Sequence, residues 1–85
     1  NIGGFLMAGK LKHEHRIRAA EEYGRKYKQQ PFHIKTLVEW CNNYKSQRGK
    51  IHRFTQTNNQ QMGNILKMHK DFIYVKPSTW KYVGE

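Results

Sequence analysis

At 85 residues the chain is one domain at most, near the lower limit for a self-sufficient hydrophobic core. Hydrophobic residues make up 36% and aromatic residues 13%, which excludes a fully disordered chain, because disorder goes with few rings. Sixteen Lys and Arg against six Asp and Glu give a net charge of +10, so polyanions or an acidic protein surface are the expected partners.

No apolar run approaches the ~20 residues that span a bilayer. The opening NIGGFLMAGK lacks both the charged start and the apolar core of about 7–15 residues that mark a signal peptide. Residues 1–9 are expected to be a flexible leader or a vector remnant, with Met7-Ala8-Gly9-Lys10 as a natural start, and residues 10–83 a single domain.

The first predicted element is a helix from Lys10 to Lys28. His13, Ile17, Ala20, Gly24 and Tyr27 recur at i, i+4, i+7, i+11 and i+14, with Tyr23 beside them. Lys12, Arg16, Arg18, Arg25 and Lys26 dominate its other sides, which suits solvent, phosphates or a dimer contact. Pro31 either stops this helix or opens the next one as its first residue.

Phe32 and Ile34 alternate with His33 and Lys35 as in a short strand. Thr36 and Glu39 have the spacing of a capping box, which predicts a helix from Leu37 to about Ser46. Its apolar face is Leu37, Val38, Cys41 and Tyr44, with Trp40 at the edge and Gly49 as the stop. A basic link, KSQRGKIHRFT, follows, and Ile51–Phe54 within it suits an added strand.

Thr55 or Thr57 then caps a third helix over 57–69, fastened by Met62, Ile65, Leu66 and His69. At 100° per residue Thr57, Gln60, Asn64 and Lys67 lie on the opposite face, with Gln61 and Met68 on one flank. After Asp71 the period changes to two. FIYVKPSTWKYV predicts a β-hairpin around a Lys-Pro-Ser-Thr turn, with Phe72 and Tyr74 sharing a face, as do Trp80 and Tyr82.

Helix, short strand, helix, helix and hairpin is an order carried here by FHIKTLVEWCNNY and TNNQQMGNILKMHKDFIYV. It resembles the winged helix-turn-helix superfamily of DNA-binding domains over about Met7 to Val83. That resemblance implies an α+β fold: a small winged helix-turn-helix domain of three helices plus a C-terminal β-hairpin wing, with a short extra strand near 32–34. Leu66, Phe72 and Ile73 take the place where a helix leucine and the first wing strand close one core. The link before the third helix departs from the pattern, being longer than the usual turn of about 3–4 residues.

The resemblance further implies a DNA-binding module, a transcription regulator or an accessory factor, with the third helix in the major groove. Thr57, Asn59, Gln60, Gln61, Asn64 and Lys67 are the candidate base contacts, since Asn and Gln pair with adenine edges and Lys with guanine. Asn58 points toward the core stripe. Lys45, Arg48, Lys50 and Arg53 in the link, with Lys76 and Lys81 in the hairpin, have the character of phosphate contacts. The expected partner is double-stranded DNA, with a homodimer and a transcription or replication protein as further partners.

A different class of function suits the same composition: a protein-interaction module gripping an acidic partner such as a polymerase subunit or nuclease. RNA binding is a third option. The bland account of the third helix is that Asn and Thr cap it and Gln merely faces solvent.

Cys41 is the only cysteine, so no internal disulfide forms. A reducing compartment fits, cytoplasmic and nucleoid-associated or, in a eukaryote, nuclear. His13 and His15 are two apart, and His33, His52 and His69 lack ligand spacing, so no metal and no cofactor are expected. Cys41 falls on an apolar helix face, Asp71 and Glu39 have structural uses, and the glycines form no phosphate loop. No enzyme activity is expected.

Overall fold

A computed structural model of the chain describes residues 13–45 and 49–84. Its elements are helix α1 (Glu14–Lys26), strand β1 (Phe32–His33), helix α2 (Ile34–Asn42), a 3-10 turn (Arg53–Thr55), helix α3 (Asn59–Met68) and strands β2 (Phe72–Lys76) and β3 (Thr79–Tyr82). Among the described residues these are three helices and one antiparallel sheet of order β1-β3-β2, an α+β arrangement with the element order of a winged helix.

α1 carries Glu14 in its first turn and Arg25 and Lys26 in its last, which suits the helix dipole. It buries Ala19, Ala20, Tyr23 and Gly24, and Ile17 packs alongside. The stripe is therefore one of small residues, and it leaves Tyr27 exposed. Smallness matters at Gly24, where an added Cβ would stand 2.4 Å from Tyr82 Cγ. The helix ends at Lys26, short of the expected Lys28, and Gln29 turns with φ 67° while its N–H donates to Tyr82 O.

α2 begins at Ile34, and the Thr36–Glu39 capping box does not form. His33 is the cap: its Nδ1 accepts from Lys35 N at 3.0 Å. The reason lies in the sheet. Phe32 and His33 pair with Trp80 and Thr79, and the N–H of Ile34 donates to Ser78 O, so the chain leaves β1 directly into the helix. Pro31 consequently precedes the strand and opens no helix. Ile34, Leu37, Val38 and Cys41 are buried, while Trp40 and Tyr44 are half-buried.

The stop is also earlier than Ser46 and does not use Gly49. Asn43 caps the end, its N–H and its Nδ2 both donating to Glu39 O. Gly49 instead takes φ +79° in the following loop. That loop closes on itself through a Lys45–Ile51 bridge and His52 N–Tyr44 O at 2.7 Å, so Ile51–Phe54 is not an added strand.

Thr55 is buried in the 3-10 turn, with its hydroxyl 2.7 Å from Cys41 O and 2.9 Å from His52 O. Neither it nor Thr57 caps α3. Asn58 does, accepting from Gln61 N at 2.8 Å, and the helix spans Asn59–Met68 within the expected 57–69.

Met62, Ile65 and Leu66 are buried as expected and meet Leu37, Cys41 and the rings of Phe32, Phe72, Trp80 and Tyr82 in one core. The hairpin turns on Pro77–Ser78, with Ser78 at φ +61°. Phe72 opposes Tyr82 and Tyr74 opposes Trp80, so the expected shared faces hold. A bulge at Val75 follows, and Tyr74 lies past the edge of the core, exposed, its ring edge-on to Trp80 at 5.3 Å.

Candidate nucleic-acid interface

The inward side of α3 is fixed by Met62, Ile65 and Leu66, and this decides what its other side presents. Asn59, Gln60, Asn64 and Lys67 are exposed, and Gln60, Asn64 and Lys67 follow one another at i, i+4 and i+7 on a single face. Among the described residues no hydrogen bond or ion pair engages the side chains of Gln60, Asn64 or Lys67. Met68 stands beside them at 89% exposure.

Two other candidate base contacts lie elsewhere. Thr57 precedes the helix and is half-buried; its N–H donates to Asn42 Oδ1 at 2.8 Å and its hydroxyl to Gln61 Oε1 at 2.9 Å. Thr57 and Gln61 thus lock the start of α3 onto the end of α2.

Of the candidate phosphate contacts, Lys45 and Lys50 are exposed on the bridge-closed loop, and Arg48 lies outside the described residues. Arg53 is exposed on the 3-10 turn with its guanidinium 5.0 Å from the Phe54 ring centre. Lys76 is exposed at the end of β2, whereas Lys81 is half-buried on β3 opposite Ile73. Lys45, Lys50 and Arg53 precede α3 in the chain, and the two hairpin lysines stand at separate strand positions.

The acids occupy other ground. Between Glu39 and Asp71 the chain has no Asp or Glu, yet it carries Lys45, Arg48, Lys50, Arg53, Lys67 and Lys70. This acid-free run was readable from the sequence and is the sharpest sign of where the free positive charge lies. The α1 acids are all engaged: Glu14 with Arg18 at 3.3 Å, Glu21 with Arg25 at 3.8 Å, and Glu22 with the Tyr44 hydroxyl, which donates to it.

Glu21 also meets His69 Nε2 at 2.8 Å. Because His69 Nδ1 accepts from Asp71 N, the Nε2–H form is the one that donates to Glu21, and this contact ties the end of α3 to α1.

Three buried or half-buried groups, Cys41, Tyr44 and Tyr23, hold their protons more tightly than usual. Burial pushes the Cys41 thiol up to about 12, which makes it a poor nucleophile and metal ligand. The hydrogen bond to Glu22, then burial, raises Tyr44; burial, then the neighbouring Tyr27, raises Tyr23. Among the described residues no group of three His, Cys, Asp or Glu is placed to hold a metal, and no helix is long and apolar enough to cross a membrane.

Trp40 donates from Nε1 to Ala19 O and Trp80 is buried, so both serve the packing of helix and sheet. Sequence reasoning overlooked a ring cluster formed by His15, His52 and Phe54, because its members come from α1 and from the turn. Comparison of the chain with protein-family models, with curated proteins and with solved structures found no match.

Proposed function

We propose that this protein is a DNA-binding module of the winged-helix kind, a transcription regulator or an accessory factor, without catalysis of its own. In this reading α3 enters the major groove, where Gln60 and Asn64 meet adenine edges, Lys67 meets guanine, and Asn59 contacts the strand at the helix start. Lys45, Arg48, Lys50 and Arg53 hold phosphates beside it, and Lys76 does so from the wing.

The observation that carries this reading is the unengaged Gln60–Asn64–Lys67 face of α3, set within a run of chain that has cations and no acids. Thr57 and Gln61 contribute by holding the helix start, and reading is left to the other four.

Affinity for random duplex and for a selected sequence, across a salt series, tests it. A selected site should bind more tightly than random duplex, and Asn64→Ala should cost about 1–3 kcal/mol on that site alone. Arg53→Ala should weaken all duplexes alike. A steep salt dependence with no sequence preference would remove the base-reading role.

A second reading, a module that grips an acidic protein, is favoured by one feature. Ile73, Tyr74 and Val75 are exposed together on β2, an outer strand of the sheet. It gains if both variants bind DNA normally.

A further inference from the structure

Phe54 is 53% exposed within the acid-free, cation-rich run between Glu39 and Asp71. Its ring stacks on His15 at 5.3 Å and 26°, lies 5.8 Å from His52, and has the Arg53 guanidinium 5.0 Å from its centre. His15 and His52 are themselves 4.9 Å apart, and Tyr44 meets His52 edge-on at 6.2 Å.

The turn that presents this ring is held from several directions. His52 Nδ1 accepts from Phe54 N, the buried Thr55 hydroxyl bonds to Cys41 O, and Arg16 Nε donates to Gln56 O at 2.8 Å. The platform is thus formed in advance, and a ligand settling on it bears little ordering cost.

We infer that the His15–His52–Phe54 cluster, with Arg53, is a stacking site for an unpaired nucleobase of a nucleic-acid strand. Phe54 is half exposed beside the Arg53 guanidinium and two imidazoles, planar groups on which any base can stack, and Arg53 and Lys50 supply charge for the flanking phosphates, the combination that single-strand sites use. A second copy of the chain is a poor occupant, since it would bring a further +10 to the same cations. An apolar peptide fits poorly among Lys50, Arg53 and two imidazoles.

The site also has a defined relation to α3. Phe54 stands four positions before the cap Asn58, a Cα–Cα reach of at most about 14 Å. A base stacked on Phe54 therefore sits within a few base steps of the helix start, as at a duplex end, a junction or an extruded base. The inference does not rest on the major-groove reading, because a single strand alone satisfies it.

The test is anisotropy with labelled single-stranded DNA and single-stranded RNA of about 12 nucleotides each, and with the blunt duplex of the same sequence. Phe54→Ala should weaken single-strand binding about 5- to 150-fold, corresponding to loss of one stacked base. Phe54→Trp should restore it and Phe54→Leu should not, while duplex affinity and the unfolding midpoint stay unchanged. The strand that shows this aromatic dependence, DNA or RNA, identifies the source of the base. The inference is overturned if the wild-type protein binds neither strand, or if Phe54→Ala and Phe54→Leu bind as it does. Failure of duplex reading with aromatic-dependent single-strand binding intact would sink the proposed function and leave this site standing.

Discussion

α1 and α3 are both amphipathic helices with cations outside and apolar residues inside, yet they spend their outer faces differently. α1 answers two of its three arginines from its own surface, Glu14 to Arg18 and Glu21 to Arg25, at i, i+4 spacing. Such exposed pairs add only about 0.2–0.5 kcal/mol each, but they cancel the charge that a polyanion would seek. α3 has no acid at all, and its Gln60, Asn64 and Lys67 are left without partners in the fold. Net charge alone cannot separate the two; the placement of six acids can.

Substitutions at the inner and outer sides of these helices sharpen that contrast. The largest expected effect is Leu66→Ala on the inner side of α3: Leu66 is 0% exposed, and its truncation should cost about 2–5 kcal/mol in urea unfolding. Loss of that order in so small a domain threatens the fold itself, whereas Asn64→Ala two residues away should leave stability within about 0.5 kcal/mol.

Gly24→Ala comes next. Its methyl would press on the Tyr82 side chain of β3 and should cost about 1–3 kcal/mol by overpacking.

Alkali probes the contact between α1 and the end of α2. Cys41, Tyr44 and Tyr23 all have raised pKa values, so the folded state favours their neutral forms. Their contribution is complete below pH 9, and is lost as pH rises toward about 12, the value of the Cys41 thiol. Unfolding midpoints should therefore hold steady up to about pH 9 and fall above it; a flat profile to pH 12 would contradict the assignment.

The smallest effect has the opposite sign. In α3, a methyl on Gly63 would meet only Ile34 Cδ1 at 3.5 Å, an ordinary contact. Gly63→Ala should stabilise by about 0.5–1 kcal/mol through helix propensity, raising the thermal midpoint.

What the sequence disclosed, and what it hid, follows from the range of the forces involved. The stripes Leu37–Val38–Cys41 and Met62–Ile65–Leu66 are local periodicities, and burial in the structure follows them. The caps are not local. Thr36 had the right neighbours for a cap, but the N–H of Ile34 finds Ser78 O across the sheet, which moves the helix start back to His33.

Thr57 pointed to the outer face on a helical wheel, but Asn42 Oδ1 holds its N–H before the helix begins. Phe54 looked like part of a strand because its stacking partner, His15, belongs to a helix far away in the chain. The outer face of α3 was legible because the directions of Gln60, Asn64 and Lys67 depend only on the inner stripe being right.

The central claim is that location, more than total charge, makes α3 the binding helix. The most direct measurement compares Lys67→Ala with Arg25→Ala, each removing one positive charge, by duplex affinity over a salt series. Lys67→Ala should cost about 1–3 kcal/mol on the selected site across the salt series, while Arg25→Ala leaves affinity unchanged. Equal losses from the two variants, or a larger loss from Arg25→Ala, would contradict the account.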